Sequence, residues 1–528
     1  MNNLFKFLIL VIALTSVSCF EQKPQVAVDV LPQVDMFEKR TEWLNYRISE
    51  EMWDLYTTGQ ADSFDFYNGL YQRLVKEPAL LEALEQSDPK LDNDDDLRRF
   101  NLVKNSVLNG KIEEFPEIVS LRDSLSAIDR SYRAEFEGAK SNANDLYRIF
   151  RTDNNRSRRE SAYRAWVSVG SEMQEGIQKL FKLRNQQATK EGFNNFFTLS
   201  LKNQEIDINQ YLKLIQELDT LSAKPYAEIL QNAKGKLRLS DPEMWDLSYS
   251  FKNINSKIDE YFPVDSQMKY IKNSLKDIGF DIDKLPIYFD LDSRDGKSQF
   301  AYAFTIKAPY DMRVLANLTD GILSTKTLMH EIGHALHSAF IQQDNSLFSN
   351  TMIDGIWAEG MAQTLASLVN DKEWLTTYAH VPVSVVDAYL TAKKEADIIY
   401  LRTTLLRLQF EFEAYQNPQR DLNEIYWDLF EKYLMLPRHD DIYPWASIIH
   451  YTTHPVYLHN YLYADMIAAQ NINFLDKNYE GAVGKRTTKS FLVQNYFRFG
   501  AKYDWRELLK RGTDSELKNE YFITSLGL

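Results

Sequence analysis

Apolar residues along most of the chain recur at intervals of three or four positions. Examples are Leu44, Ile48, Met52 and Leu55, followed later by Ala162, Trp166, Val169, Met173, Ile177 and Leu180. Residues spaced in this way lie on one face of an α-helix, and that face is buried against neighbouring elements. The pattern therefore predicts a mainly helical protein.

The helical pattern is interrupted between residues 285 and 318. Pro286, the Asp295-Gly296 pair and Pro309 divide this segment, and residues of these types favour turns. The short apolar runs between them predict strands at Ile287–Leu291, Phe300–Ile306 and Arg313–Asn317. We expect these strands to form a small β-sheet within the helical fold.

The composition agrees with long helices and argues against some functions. Gly and Pro contribute only 19 and 15 of the 528 residues, so the chain has few of the residues that interrupt helices. Acidic residues outnumber basic residues by 75 to 61, and the net charge of -14 argues against nucleic acid as the main partner. The single cysteine, Cys19, excludes an intrachain disulfide and a thiolate metal cluster.

Residues 1–18 have the features of an export signal. Lys6 precedes an apolar stretch over residues 8–14, and small residues then lead to Cys19. This order is similar to a bacterial lipoprotein signal, which implies a lipid on Cys19 and a tether over residues 19–35. Ordinary signal cleavage nearby, without a lipid, is the alternative. We expect an exported protein in the periplasm or at the cell surface, attached to a membrane only through this lipid.

All eight histidines lie between residues 330 and 459. The first two, His330 and His334, enclose Glu331 in the pattern His-Glu-x-x-His, within a segment of helical spacing. Two imidazoles four positions apart on a helix can bind one tetrahedral metal ion, for which zinc is expected, and the glutamate between them can reach the water there. The pattern also occurs by chance, so two unrelated histidines on an ordinary helix are the alternative.

A zinc site of this kind needs a third protein ligand. Glu359 follows His334 by 25 positions and stands among apolar residues, where a buried carboxylate needs a partner. Asp354, 20 positions after His334, is a shorter alternative. We therefore predict one zinc ion per chain, bound by His330, His334 and Glu359.

With these residues, the sequence resembles two related families of zinc peptidases. They are the thimet oligopeptidase and oligopeptidase F family and the angiotensin-converting-enzyme family. The segments similar to the first family are Phe300–Ala303, Leu315–Asn317, Thr327–His337 and Gln363. Those similar to the second are Trp166, Gly170, Met173, Leu183–Ala188, Gly192 and Phe193. The resemblance covers residues 36–528, which we expect to form the catalytic domain.

The resemblance also implies a fold and a set of catalytic residues. It implies two helical halves around a deep substrate channel, with the small β-sheet next to the zinc-binding helix. A histidine and two tyrosines would bind the oxyanion that develops during the reaction. The matching residues are His450, or its rival His454, with Tyr457 and Tyr461. Both tyrosines are expected on one face of a helix that begins after Pro455.

The expected function is hydrolysis of short peptides by a monomeric zinc peptidase. Glu331 would accept the proton of the attacking water and pass it to the leaving amine. The sheet edge beside the zinc helix could pair with an extended peptide. Within this class, a peptidyl-dipeptidase of the converting-enzyme type is the alternative to an oligopeptidase. Outside it, the alternative is a non-catalytic peptide-binding lipoprotein on the same scaffold.

Overall fold

The computed structural model describes residues 28–86, 89–342 and 352–528 of the chain. Its helices are α1 (Leu31–Thr58), α2 (Phe64–Leu74), α3 (Pro78–Leu84), α4 (Asp94–Glu113), α5 (Pro116–Ser131), α6 (Ala143–Thr152), α7 (Arg156–Val167), α8 (Val169–Lys190), α9 (Phe196–Asn203), α10 (Ile208–Leu237), α11 (Met244–Ser250), α12 (Lys252–Asp259), α13 (Val264–Ile278), α14 (Ile322–Ala339), α15 (Gly355–Ser367), α16 (Lys372–Thr377), α17 (Val383–Gln416), α18 (Leu422–Leu434), α19 (His450–Thr453), α20 (His459–Tyr479), α21 (Arg486–Asn495), α22 (Trp505–Thr513) and α23 (Asn519–Leu526). Short 3-10 helices cover Ile282–Lys284, Leu368–Asn370, Pro444–Ser447 and Phe497–Phe499. The prediction of a mainly helical fold is confirmed.

Within the described residues, the strands are short and form three small sheets. They are β1 (Val28–Asp29), β2 (Pro89–Lys90), β3 (Ala134–Phe136), β4 (Ala139–Ser141), β5 (Ile287–Asp290), β6 (Tyr302–Lys307) and β7 (Asp311–Leu315). β1 pairs with β2, β3 pairs with β4, and the third sheet has the order β5-β7-β6. The strands of the third sheet are the three predicted from the sequence, with ends that differ by one or two residues.

The first helix begins earlier than the sequence suggested. α1 starts at Leu31, so the prediction of a tether through residue 35 was wrong for its last five residues. Pro32 lies in the first turn of this helix. Proline is tolerated there, because an N–H group in the first turn of a helix has no hydrogen-bond partner within the helix, so its absence costs nothing. Cys19 and the predicted signal lie outside the described residues.

The buried apolar side chains fall into separate clusters. The largest joins elements from α4 to α23, and a second joins α1 to the three helices that follow it. A third cluster joins α1 to the third sheet, because Trp53 packs with Ile306 of β6 and Leu315 of β7. α1 therefore stands against the third sheet as one wall of the space in front of it. In the part of the chain described here, no helix is both long and apolar enough to cross a membrane.

Candidate metal centre and active site

Helix α14 brings the two histidines of the motif together. Its apolar side, which includes Leu328 and Ile332, is fully buried, whereas His330 and His334 keep about a fifth of their side chains exposed. Their Nε2 atoms are 3.2 Å apart, and their rings meet edge to face. Both imidazoles thus point from one face of the helix to a common position, as the spacing of four residues predicts.

Helix α15 carries Glu359 to the same position. Glu359 Oε2 lies 3.1 Å from His330 Nε2 and 3.8 Å from His334 Nε2. The alternative ligand, Asp354, is the N-cap of α15, and its carboxylate accepts a hydrogen bond from the Ile356 backbone N–H. Glu359, not Asp354, is therefore the carboxylate that faces the two histidines.

Close packing fixes the distance between these two helices. A side chain on Gly333 of α14 would place its Cβ 2.7 Å from the Cα of Ala362 on α15, so glycine allows the backbones to approach. At the start of α15, Gly355 makes room in the same way for the side chains of Tyr457 and Asn460. The relative positions of the three metal-facing side chains therefore depend on backbone contacts as well as on their own rotamers.

The three side chains fit a zinc ion. Their nearest donor atoms all lie within 4.8 Å of one another. Donor atoms bound to one tetrahedral zinc ion are separated by roughly 3.3 Å, which the 3.2 Å between the two imidazole nitrogens matches. Glu359 Oε2 is buried and accepts no hydrogen bond of normal geometry from any described residue. Two imidazoles and one such oxygen are the donor set of many catalytic zinc sites.

The charges around this position favour an ionised Glu359. Burial opposes ionisation, but the neighbouring His330 and His334 outweigh it and lower the pKa of Glu359 to about 2. Burial lowers the pKa of His334 to about 4, so this imidazole is neutral near pH 7. A neutral imidazole and an ionised carboxylate are the protonation states that a metal ion requires of its ligands.

Glu331 lies beside these residues in a different environment. Burial raises its pKa to about 7, although His330 lowers it and the Ala303 backbone N–H hydrogen-bonds to the carboxylate. A carboxylate with a pKa in this range can accept a proton and release it again near neutral pH. Glu331 also lines the large cavity, so water in the cavity can reach it.

Two more predicted residues, His450 and Tyr461, meet on the wall of the same cavity. Tyr461 is on the first turn of α20, and its hydroxyl is 3.3 Å from His450 Nε2. Burial lowers the pKa of His450 to about 4 and raises that of Tyr461 far above its usual value, so both are neutral at pH 7. His454, the rival of His450, is exposed, and its Nδ1 is 2.8 Å from the Thr453 hydroxyl.

Tyr457 lies elsewhere than the sequence predicted. α20 begins at His459, so Tyr457 belongs to the preceding turn and the prediction of one helical face for both tyrosines was wrong. Within this turn, the backbone of Val456 has a positive φ of 54°. Tyr457 nevertheless packs against Tyr461, and its hydroxyl donates a 2.6 Å hydrogen bond to Glu359 Oε1.

All of these groups open into one cavity of about 1380 Å³. Part of its wall comes from α1 and includes Trp43, Tyr46 and Tyr56, none of which we predicted as site residues. Tyr56 contacts Tyr302 of β6 edge to face at 4.8 Å. The only sequence signal was an excess of aromatic residues on α1, which is also typical of a helix that packs on a core.

The comparisons with known proteins now decide the family. The sequence pattern of peptidase family M3 matches residues 149–528, which is most of the chain and includes every predicted metal-binding and catalytic residue. The chain belongs to peptidase family M3. It is therefore a metallopeptidase, and the resemblance to the thimet oligopeptidase and oligopeptidase F family is confirmed.

Solved structures of M3 and related peptidases share this fold. An oligoendopeptidase F is 16% identical, with a TM-score of 0.69 over 94% of each chain. PZ peptidase A, solved with an inhibitor, is 15% identical, with a TM-score of 0.68 over 90% of this chain and 87% of that one. An M32 carboxypeptidase from Deinococcus radiodurans R1 is 14% identical, with a TM-score of 0.64 over 94% of this chain and 100% of that one. No curated protein sequence matches the chain.

Proposed function

We propose that this M3 peptidase hydrolyses short peptides with one zinc ion held by His330, His334 and Glu359. The observation that carries the proposal is the convergence of three donor atoms within 4.8 Å, beside Glu331 and on the wall of a large cavity. When bound there, zinc would supply a Lewis acid that activates water and polarises the peptide carbonyl group.

The protein groups would then move protons and stabilise charge. Glu331 accepts a proton from the attacking water and delivers it to the nitrogen of the leaving amine. Tyr461 donates its hydroxyl hydrogen to the carbonyl oxygen as negative charge develops there. His450, whose Nε2 is 3.3 Å from that hydroxyl, orients it. In this mechanism His450 acts through Tyr461, and the hydroxyl of Tyr457 is already used by Glu359.

The cavity supports extended peptides as substrates. β6 pairs with β7 along one edge, and no strand among the described residues pairs with its other edge. Tyr302 and Ala303 of β6 line the cavity beside Glu331, so a peptide that pairs with this edge would lie next to the proton acceptor. A folded protein has no free extended segment of this kind, which favours short or unfolded peptides.

We propose an oligopeptidase in preference to a peptidyl-dipeptidase, because the zinc-binding segment resembles the oligopeptidase side of the group. Mass spectrometry of the products from a peptide library separates the two activities. Internal cleavage at several positions supports the oligopeptidase, whereas release of carboxy-terminal dipeptides alone supports the alternative. The prediction of a monomer stays a prediction.

The decisive experiment for the proposed function compares wild-type protein with the variant Glu331→Gln. The variant keeps the size of the side chain but cannot accept a proton, so we expect normal zinc content and a loss of about 10²- to 10⁴-fold in turnover. Zinc is measured by elemental analysis and turnover with quenched-fluorescence peptides, with and without a chelator. Wild-type protein that binds zinc but cleaves no peptide would instead support a peptide-binding module.

We also propose that the chain is exported and lipid-anchored through Cys19, as the order of residues at its start suggests. The test is expression of the whole gene in a bacterial host, followed by fractionation and mass spectrometry of the mature N-terminus. A lipid on Cys19, and release from the membrane fraction by Cys19→Ala, are expected. Cleavage at another residue, without a lipid, would refute the anchor.

A further inference from the structure

The carboxylate of Glu359 has two oxygens with different surroundings. Oε2 faces the two imidazoles, at 3.1 and 3.8 Å from their Nε2 atoms. Oε1 accepts a 2.6 Å hydrogen bond from the hydroxyl of Tyr457. The carboxylate is therefore held from the side opposite to the histidines, which leaves one oxygen for a metal ion and fixes the direction in which it points.

The Tyr457 hydroxyl is fully engaged by this contact. A phenol has one hydrogen to donate, so a hydroxyl that donates to Glu359 cannot also donate to the oxyanion of a substrate. A hydrogen bond to an ionised carboxylate is also about twice as strong as one between neutral groups.

The turn that carries Tyr457 is itself held in an unusual conformation. Val456 has a φ of 54°, a value that is rare for a β-branched residue, and it is fully buried. Its backbone N–H donates a 2.6 Å hydrogen bond to the buried carboxyl group of Glu411 on α17, and Gln204 donates to its carbonyl oxygen at 3.3 Å. A strained backbone of this type persists only where its surroundings enforce it.

We propose that Tyr457 is a positioning residue for the metal centre, and that Glu411 holds the Val456 turn so that Tyr457 reaches Glu359. This inference rests on the proposed zinc site and goes beyond it. It replaces the predicted role of Tyr457 in binding the oxyanion, which leaves Tyr461 as the tyrosine that donates to the substrate. Groups that orient a metal ligand typically change metal affinity when they are removed, by about 10- to 100-fold.

The test separates metal affinity from turnover in two matched variants, Tyr457→Phe and Tyr461→Phe. The two rings are neighbours, and each variant loses only the hydroxyl of its own ring. Thermal unfolding of the metal-free proteins shows whether both variants remain folded. Zinc affinity is measured by competition with a chromogenic chelator, and the cobalt-substituted proteins are compared by their visible spectra. We expect Tyr457→Phe to weaken zinc binding about 10- to 100-fold and to change the cobalt spectrum. Tyr461→Phe should do neither.

The results distinguish this inference from the proposed function. Wild-type protein that binds no zinc overturns both. Wild-type protein that binds zinc, with unchanged affinity and spectrum in Tyr457→Phe, overturns the positioning role alone. Unchanged zinc affinity together with a large loss of turnover in the zinc-loaded Tyr457→Phe protein would overturn the positioning role and support binding of the oxyanion by Tyr457.

A second pair of variants tests the contact with Val456. Glu411→Gln keeps an oxygen that can accept from the Val456 N–H, whereas Glu411→Ala removes it. We expect Glu411→Ala to weaken zinc binding, as Tyr457→Phe does. Glu411→Gln should keep the zinc affinity of wild-type protein. Equal affinity in Glu411→Ala and wild-type protein would show that the turn holds Tyr457 without Glu411.

Discussion

At the scale of single residues, the surroundings of each carboxylate determine what it can do. The neighbouring His330 and His334 outweigh burial and lower the pKa of Glu359 to about 2, which suits a metal ligand. Burial raises the pKa of Glu331 to about 7, which suits a group that accepts and releases protons. Two glutamates within one cavity thus differ in pKa because one faces imidazoles and the other is mainly desolvated.

Tyr461 provides the clearest prediction at this scale. Replacing Tyr461 by Phe removes a hydroxyl that donates to the developing oxyanion, and loss of one such donor lowers turnover by about 10²- to 10³-fold. Steady-state kinetics on a quenched-fluorescence peptide, with zinc-loaded protein, measure the effect. A turnover number close to that of wild-type protein would remove Tyr461 from the mechanism.

The sequence predicted some residues of the site better than others. The convergence of His330, His334 and Glu359 was predicted because helical spacing places the two histidines on one face and a buried carboxylate needs a partner. The position of Tyr457 was not found, since helical spacing from Tyr461 suggested one continuous helix. The positive φ of Val456 that ends this pattern depends on Glu411 and Gln204, which are distant in sequence.

At the scale of elements, the site depends on how closely three helices approach. α14 carries His330, Glu331 and His334, α15 carries Glu359, and α20 carries Tyr461. Gly333 lies directly opposite the backbone of Ala362, and Gly355 lies opposite the side chains of Tyr457 and Asn460. The sequence predicted that these helices and the small sheet exist, but not the contacts between them, because contact distance depends on the partner residue.

Gly333→Ala tests this packing. The added Cβ would lie 2.7 Å from the Ala362 backbone, so the helices must separate, at a cost of about 1–3 kcal/mol in the free energy of unfolding. The matched control is Gly235→Ala in α10, where no atom lies within 4 Å and alanine should stabilise the helix by about 0.5–1 kcal/mol. Urea unfolding of the metal-free proteins measures both, and equal stability of the two variants would contradict the packing argument.

The Glu411 carboxyl group makes stability depend on pH. Burial raises its pKa to about 7 in the folded protein, compared with an ordinary value near 4.5. The folded state therefore binds the proton of Glu411 more tightly than the unfolded state does. This favours the folded state at a pH below the pKa of the unfolded state, and the contribution to stability is lost as the pH rises towards 7. Each pKa unit is worth 1.36 kcal/mol, so the loss is about 3 kcal/mol.

Glu411→Gln removes this titration while keeping an acceptor for the Val456 N–H. We therefore expect the free energy of unfolding of the variant, relative to wild-type protein, to increase between pH 4.5 and pH 7 and to change little above pH 8. Urea unfolding of metal-free protein across this range measures the difference. A difference that does not vary with pH would show that Glu411 titrates normally.

At the scale of the whole molecule, the metal-facing residues and Tyr457 connect two neighbouring helices with a turn 98 positions further along the chain. A zinc ion would connect α14 to α15. The hydrogen bond from Tyr457 to Glu359 connects α15 to the turn before α20. A ligand that binds only the folded protein raises its stability, by about 2.7 kcal/mol when its free concentration is 100 times the dissociation constant. Metal binding should therefore be visible in the stability of the entire chain.

Zinc removal should lower both activity and the unfolding temperature. We expect chelated protein to stay folded but to unfold at a lower temperature than zinc-loaded protein, and to recover fully when zinc is returned. Differential scanning calorimetry and peptide cleavage measure the two effects. Glu359→Gln is the control, because its unfolding temperature should respond much less to zinc. The same unfolding temperature for wild-type protein with and without zinc would count against the site.

The wall that α1 adds to the cavity has a consequence for how this enzyme can diversify. The residues proposed for chemistry all lie in the segment that matches family M3, whereas Trp43, Tyr46 and Tyr56 precede it. Substitutions on the inner face of α1 can therefore alter which peptides are accepted while the reacting groups stay unchanged. A library confined to α1 is therefore a direct route to variants with new substrate preferences.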